Sequence, residues 1–325
     1  MKRIVLAFIF CIGIHFVFAG PLKKTYISAT VSGYSGSVVD FEFMGKEDLN
    51  MQYAYVENKQ MEFEVELDDI VLMKLNAFVW IYLQPGDKIN AAVQYDGRFF
   101  KTVEFTGTPE AVIANKVCND MRSVRIENRY KLDPRAAAAV QTAPHNYYAA
   151  TQKEWKVEKE ILEAEKVQIP SQIYNYMYTE IESQFLSNLI TYPMVCASMA
   201  KESIEKSMPE GFWTVLDDYK LREDEASLKS GAYMSFLLDY KNYVRRRDAL
   251  KMDVIYTPAN DMKSEFEDIA SFYEGSLREG ALYFFLCNQI MSGKDFDTAQ
   301  KLSKQYLKKY NQNKEYRKNL TEMMK

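Results

Sequence analysis

Beyond the first twenty residues, few side chains could do covalent or metal chemistry: Cys118, Cys196, Cys287 and His145. A nucleophilic thiolate needs a base beside it, and a zinc site needs several nitrogen and sulfur ligands at short spacing. The three cysteines are far apart, no Cys-x-x-Cys occurs, and His145 follows Pro144 in what reads as a surface loop. Neither a redox dithiol nor a zinc site is announced, and no cofactor is implied. Each cysteine sits among apolar residues at helical spacing, the setting of a small buried hydrophobe. In an oxidising compartment one pair could instead form a disulfide, and spacing leaves the pairing open.

Carboxylates offer a second chemistry. Glu62, Glu64 and Glu66 share one face of "MEFEVEL". A glycosidase sets two carboxylates across a bound sugar with their pKa values driven apart. Three adjacent solvated carboxylates repel one another, and they read as a wet, aggregation-resistant face. No Gly-x-Ser-x-Gly, Gly-x-Gly-x-x-Gly or Walker lysine motif occurs, so no acyl-transfer nucleophile or phosphate cradle is expected. Arg245-Arg246-Arg247 falls near a helix C-terminus, where cations suit the macrodipole. From Lys294 to Lys325 nine Lys/Arg stand against four acids. There Leu302, Tyr306 and Tyr310 fall on one helical face beside Lys308 and Lys309, a candidate docking surface for an acidic partner or lipid headgroups.

The elements that would position these groups change character once. From Tyr26 to Thr106 the hydrophobic period is two, in about eight short runs separated by turn residues. This predicts an antiparallel β-sandwich. Asp96-Gly97 predicts a hairpin. In "WIYLQPGDKINAAV", Pro85 presets φ, Gly86 tolerates a positive φ and Asp87 can bond its own backbone. That makes Pro85-Gly86-Asp87 a structural turn.

Thr108-Pro109-Glu110 then reads as a helix start with a capping hydroxyl. The rest is helical: 109 to about 130, 146–167, 171–205 with a kink at Pro193, 209–219, 222–250, 260–274, 276–291, 295–310, and a last helix from about 313. Short breaks between them imply helical hairpins. The predicted class is therefore α+β, segregated: an N-terminal sandwich at 20–108 and a larger all-α domain at 109–325.

Bulk properties bound the function. The 325 residues carry a net charge of −4 and 47% apolar residues, enough for real cores and ill suited to non-specific nucleic-acid binding. Residues 1–19 read as a secretory signal: basic Lys2 and Arg3, an apolar stretch, and Val17-Phe18-Ala19 before cleavage after Ala19. No later run is long enough to span a membrane. An exported protein of the bacterial periplasm or envelope is expected.

The order of elements resembles the N-terminal extension of secreted thioredoxin-family oxidoreductases of the TlpA type. The resemblance lies in "IYLQPGDKINAAV", in Phe105-Thr106-Gly107 followed by the helix containing Asn115, in "SLKSGAYMSFLLDYKNYV", in "LREGALYFFLCNQI" and in "AQKLSKQYLKKYNQNKEYRKNL". It covers most of the chain after the leader. In such relatives a thioredoxin domain with Trp-Cys-x-x-Cys follows. This sequence reaches Lys325 without one, so the resemblance implies the scaffold and not the redox chemistry. The expected function is a non-catalytic exported protein-binding or scaffold module, accessory to a separate thioredoxin-fold oxidoreductase or bound to another envelope protein. The alternative is a glycan or small-ligand binding module that uses exposed aromatics.

Overall fold

A computed structural model describes residues 22–204 and 208–325. The leader assigned to residues 1–19 lies outside the described residues. The alternating segments form β1 (Lys23–Tyr34), β2 (Val38–Phe43), β3 (Met51–Ala54), β4 (Gln60–Leu67), β5 (Val71–Leu75), β6 (Val79–Leu83), β7 (Lys88–Gly97) and β8 (Phe99–Gly107). They build two sheets: sheet A in the order β4-β1-β7-β8 and sheet B in the order β3-β2-β5-β6. The period of two sorts each strand. Ile27, Val31, Phe41, Phe43, Val65 and Val93 point between the sheets and are buried. The Asp96-Gly97 hairpin forms, though the register Asp96↔Phe99 closes it through Gly97-Arg98. One pairing departs from the expected antiparallel scheme: β1 runs parallel to β7. The first strand enters the middle of sheet A, antiparallel to β4 on its other side.

The helical region begins directly after the sandwich: α1 (Pro109–Leu132), α2 (Pro134–Ala139), α3 (Pro144–Ala164), α4 (Ser171–Met199), α5 (Glu225–Lys229), α6 (Gly231–Lys251), α7 (Met262–Phe272), α8 (Gly275–Ser292), α9 (Phe296–Lys309) and α10 (Lys314–Met323). The segregated α+β layout is therefore present. Four details differ from expectation. The stretch between Pro134 and Pro144 holds α2, whose start Asp133 caps by accepting from Ala136 N. The helix expected at 209–219 is reduced to one 3-10 turn at Phe212–Thr214, entered through Gly211 at φ 76°. The helix expected at 222–250 breaks at Ser230, whose hydroxyl accepts from Tyr233 N and starts α6. The Thr108 hydroxyl, expected to cap α1, accepts from Lys88 N of β7 and extends the sheet ladder.

Tyrosines tie the helices together. Pro193 lies inside α4 and has no N–H to give to the carbonyl of Leu189, four residues back. The hydroxyl of Tyr148 on α3 donates to that carbonyl at 3.0 Å. Tyr147 donates to Leu132 O, Tyr243 to Phe212 O, Tyr273 to Leu237 O and Tyr316 to Leu228 O. In each case a buried phenol body packs in the core while its tip satisfies a backbone acceptor. Between α6 and α7 the fully buried Lys241 ammonium is held by Glu265 at 2.7 Å and Asp268 at 2.6 Å.

The sandwich meets the helices along β6, an edge of sheet B. Asn115 on α1 accepts from Tyr82 N at 2.6 Å and donates to Tyr82 O at 2.9 Å. One helical turn later, Asn119 accepts from Trp80 N at 3.3 Å and donates to Trp80 O at 2.8 Å. Residues two apart on a strand advance about 6.6 Å, and residues four apart on a helix about 6 Å. The two amides therefore reproduce the pairing that a fifth strand would make. Around them, Tyr82, Ala114, Val117, Met121 and Met177 bury an apolar seam between sheet B, α1 and α4. Lys229 on α5 and Asp69 of the sandwich close the same seam with an ion pair.

Replacing Asn115, which is fully buried, with Ala orphans a buried N–H and a buried carbonyl. It is expected to cost about 2–4 kcal/mol, read as a lowered urea midpoint at unchanged slope. Asn119→Ala, with its longer 3.3 Å contact, is expected to cost less.

Candidate functional site

The Pro85-Gly86-Asp87 turn is a clamp at the end of sheet A. Gly86 has φ 97°, the backbone a type II turn requires. The Asp87 carboxylate accepts from Gln84 N at 2.8 Å, and Tyr26 N donates to Asp87 O at 2.8 Å. Thr25 Oγ1 accepts from Gly86 N and donates to Gln84 O. Burial raises the Asp87 carboxyl above its ordinary range against the hydrogen bond from Gln84. Asp87→Asn keeps an acceptor without the charge, so it should hold stability within about 0.5 kcal/mol of the parent, while Asp87→Ala should lose about 1 kcal/mol or more. Urea denaturation of both variants checks this.

The cysteines are thiols in three different places. Cys118 packs in the seam under Tyr82, Cys196 lies beside Tyr147 and Tyr192, and Cys287 is in the main helical core. No disulfide joins them, and Cys118 and Cys287 are buried while Cys196 is half-buried. Burial pushes the Cys118 thiol up to about 12, which leaves almost no nucleophilic thiolate at neutral pH. His145 is exposed in the first turn of α3 and not in a loop. Arg245 and Arg247 of the arginine run are paired with Asp268 and Asp217.

The docking surface expected on α9 does not exist in the form predicted. Leu302 and Tyr306 are buried in the helical core, and Tyr310 packs edge-on against Phe266. The apolar stripe of α9 is consumed by α7 and α8, leaving Lys308 and Lys309 exposed on the polar side. An amphipathic helix announces an apolar face; here the chain itself covers that face.

A depression lies elsewhere, on the outer face of sheet A. It has a volume of about 390 Å3 and is open to solvent. Pairing register aligns its residues in rows. Glu62 faces Ser28, Ser28 faces Asn90, and Asn90 faces Thr106, one from each strand. The adjoining row is Glu64, Tyr26 and Lys88. Ser28 Oγ donates to Asn90 Oδ1 at 2.9 Å, and Asn90 Nδ2 donates to Thr106 Oγ1 at 3.4 Å. Lys24 pairs with Glu64 at 2.6 Å, and the Lys88 ammonium lies 5.5 Å from the Tyr26 ring centre. Tyr26 is 43% exposed. Gly107 borders the depression at φ 135°, and a Cβ there would lie 2.0 Å from Lys88 O. That position accepts glycine alone.

The sequence hid this site because its members lie on strands far apart in the chain. Only Glu62 and Glu64 stood out, as solvated carboxylates. Tyr26, Ser28, Asn90 and Thr106 are polar positions on the exposed side of alternating strands, and pairing register alone brings them into line.

A second polar group lies inside the helical seam. The Arg125 guanidinium bonds Glu158 of α3 and lies 3.9 Å from Glu180 of α4. Burial works against the Arg125 charge, and Glu158 and Glu180 hold its pKa up nonetheless. Arg122 stacks 3.8 Å above the Trp80 ring. Among the described residues no group of three or more His, Cys, Asp or Glu side chains is placed to hold a metal ion. Glu154, one turn before Glu158, is the unbalanced member. Burial and the neighbouring Glu158 carry it from 4.5 to about 7, against Arg125 and Asn128. Its folded value lies above its unfolded one, so its contribution to stability is complete below pH 4.5 and is lost as the pH rises through about 7. Glu154→Gln should remove this part of the slope and exceed the parent in stability at pH 8, as measured by urea midpoints across that range.

No family model, no curated protein and no solved structure matches this chain.

Proposed function

We propose that this chain is a non-catalytic exported binding module that holds a β-sandwich on a rigid helical body and presents the outer face of sheet A to a component of the cell envelope. The observation that carries the reading is the orientation of the two sheets. Sheet B is locked to the helices through Asn115, Asn119 and the Lys229–Asp69 pair. Sheet A is left facing solvent with an aligned polar depression. A binding face on rigid strands loses little entropy when it is occupied. Export rests on the leader-like residues 1–19, and among the described residues no helix is long and apolar enough to cross a membrane.

Co-sedimentation of the purified protein with an isolated envelope fraction tests the reading. The parent and a control, Lys153→Ala on the exposed surface of α3, should pellet with the envelope. A folded Tyr26→Ala/Asn90→Ala variant should stay in the supernatant. Equal partitioning of all three proteins would refute the assignment of this face.

A further inference from the structure

We infer that the depression on sheet A takes a neutral carbohydrate, with the Tyr26 ring as the stacking surface and Glu62, Ser28, Asn90 and Thr106 as its hydroxyl-reading row. The inference rests on the binding-face reading above and names its ligand class.

Charge disfavours an anion and gives little to attract a cation. The Glu62 carboxylate, bonded by the neutral Gln60 amide at 2.7 Å, would repel a phosphate or a carboxylate brought into the depression. Glu64 is already neutralised by Lys24 at 2.6 Å, and Lys88 stands across Tyr26 on the other side. The outward residues of the row are polar, so an apolar ligand would strand their hydrogen-bonding groups at a cost. What remains complementary is a neutral molecule dense in hydroxyls with one apolar face.

The row has the valences such a molecule needs. The Ser28–Asn90–Thr106 chain runs one way: Ser28 donates to Asn90, and Asn90 donates to Thr106. This leaves the second amide hydrogen of Asn90, the hydroxyl hydrogen of Thr106 and the lone pairs of Ser28 for a ligand. Glu62 ends the row with a carboxylate whose Oε1 accepts from Gln60 Nε2 at 2.7 Å, which leaves Oε2 and the remaining lone pairs to accept from ligand hydroxyls. Successive members stand on adjacent strands, about 4.8 Å apart, a spacing comparable with the width of one sugar ring. Beside the row, the exposed ring of Tyr26 offers a flat surface to the C–H face of a pyranose. The volume of about 390 Å3 suits one or two rings. Gly107 adds no side chain at the β8 end, where the backbone leaves no room for a Cβ.

Isothermal titration of the full chain with a panel of neutral oligosaccharides built from glucose, mannose, galactose or N-acetylglucosamine units tests the inference, with a lysine-rich peptide as comparison. At least one saccharide should bind. Tyr26→Ala and Glu62→Gln, each verified as folded by its unchanged melting curve, should bind it about tenfold more weakly, and Lys153→Ala should match the parent. Binding of the peptide with no saccharide bound would overturn the carbohydrate assignment, as would saccharide binding that neither variant weakens. If no saccharide binds but co-sedimentation with the envelope still depends on Tyr26 and Asn90, the ligand class falls and the binding face stands. If both fail, the face itself is wrong.

Discussion

The rest of the structure depends on how β6 ends sheet B. An edge strand presents unpaired N–H and carbonyl groups, which water, another strand or a side chain must satisfy. Here two asparagines on one face of α1 take the place of the missing strand, bonding Tyr82 and Trp80 through both backbone groups. The solution works because the repeat of a strand over two residues nearly matches the repeat of a helix over four. It fixes the angle of α1, and α1 in turn sets where α3 and α4 can pack. Trp80 and Tyr82, which point outward from sheet B, become the floor of the seam between sandwich and helices. With one sheet committed to the helical body, the other is the face left open.

The sandwich and its boundary with the helices were largely legible in the sequence, because a period of two is a local property. "MEFEVEL" displays its inward Met61, Val65 and Leu67 and its outward glutamates without reference to any partner. The parallel pairing of β1 with β7 was not legible, since strand partnership is decided between residues some sixty positions apart. The same limit hid the depression on sheet A: each of Tyr26, Ser28, Asn90 and Thr106 is an ordinary exposed strand residue until register sets them side by side. Asn115 and Asn119 carried a signal that could have been used. Two amides four apart, on a helical face otherwise built from Ala111, Ala114 and Cys118, are costly to bury unless they have a backbone to bond.

The helices were legible as segments and less so as boundaries and surfaces. Ser230 breaks one predicted helix because its hydroxyl serves better as a cap than as an interior residue. Leu302 and Tyr306 gave a sound amphipathic pattern, yet their face belongs to the helical core. Hydrophobic periodicity says that a face must be covered, and only the packing of α7 and α8 says by what. The glutamates of β4 show the converse. Their exposure was read correctly, while their place at one end of a polar row emerges from pairing with β1.

The tyrosine ties have an optical consequence. Burial holds the phenols of Tyr147, Tyr148, Tyr233 and Tyr316 well above the ordinary range of tyrosine, and each donates its proton to a backbone carbonyl on another segment of the chain. Ionising any one of them would break a link between segments as well as charge a buried ring. In the native protein these phenols stay dark in the tyrosinate absorption band at alkaline pH values where surface tyrosines have already ionised. The ultraviolet spectrum of the chain in base therefore separates its buried tyrosines from its surface ones, with no label attached.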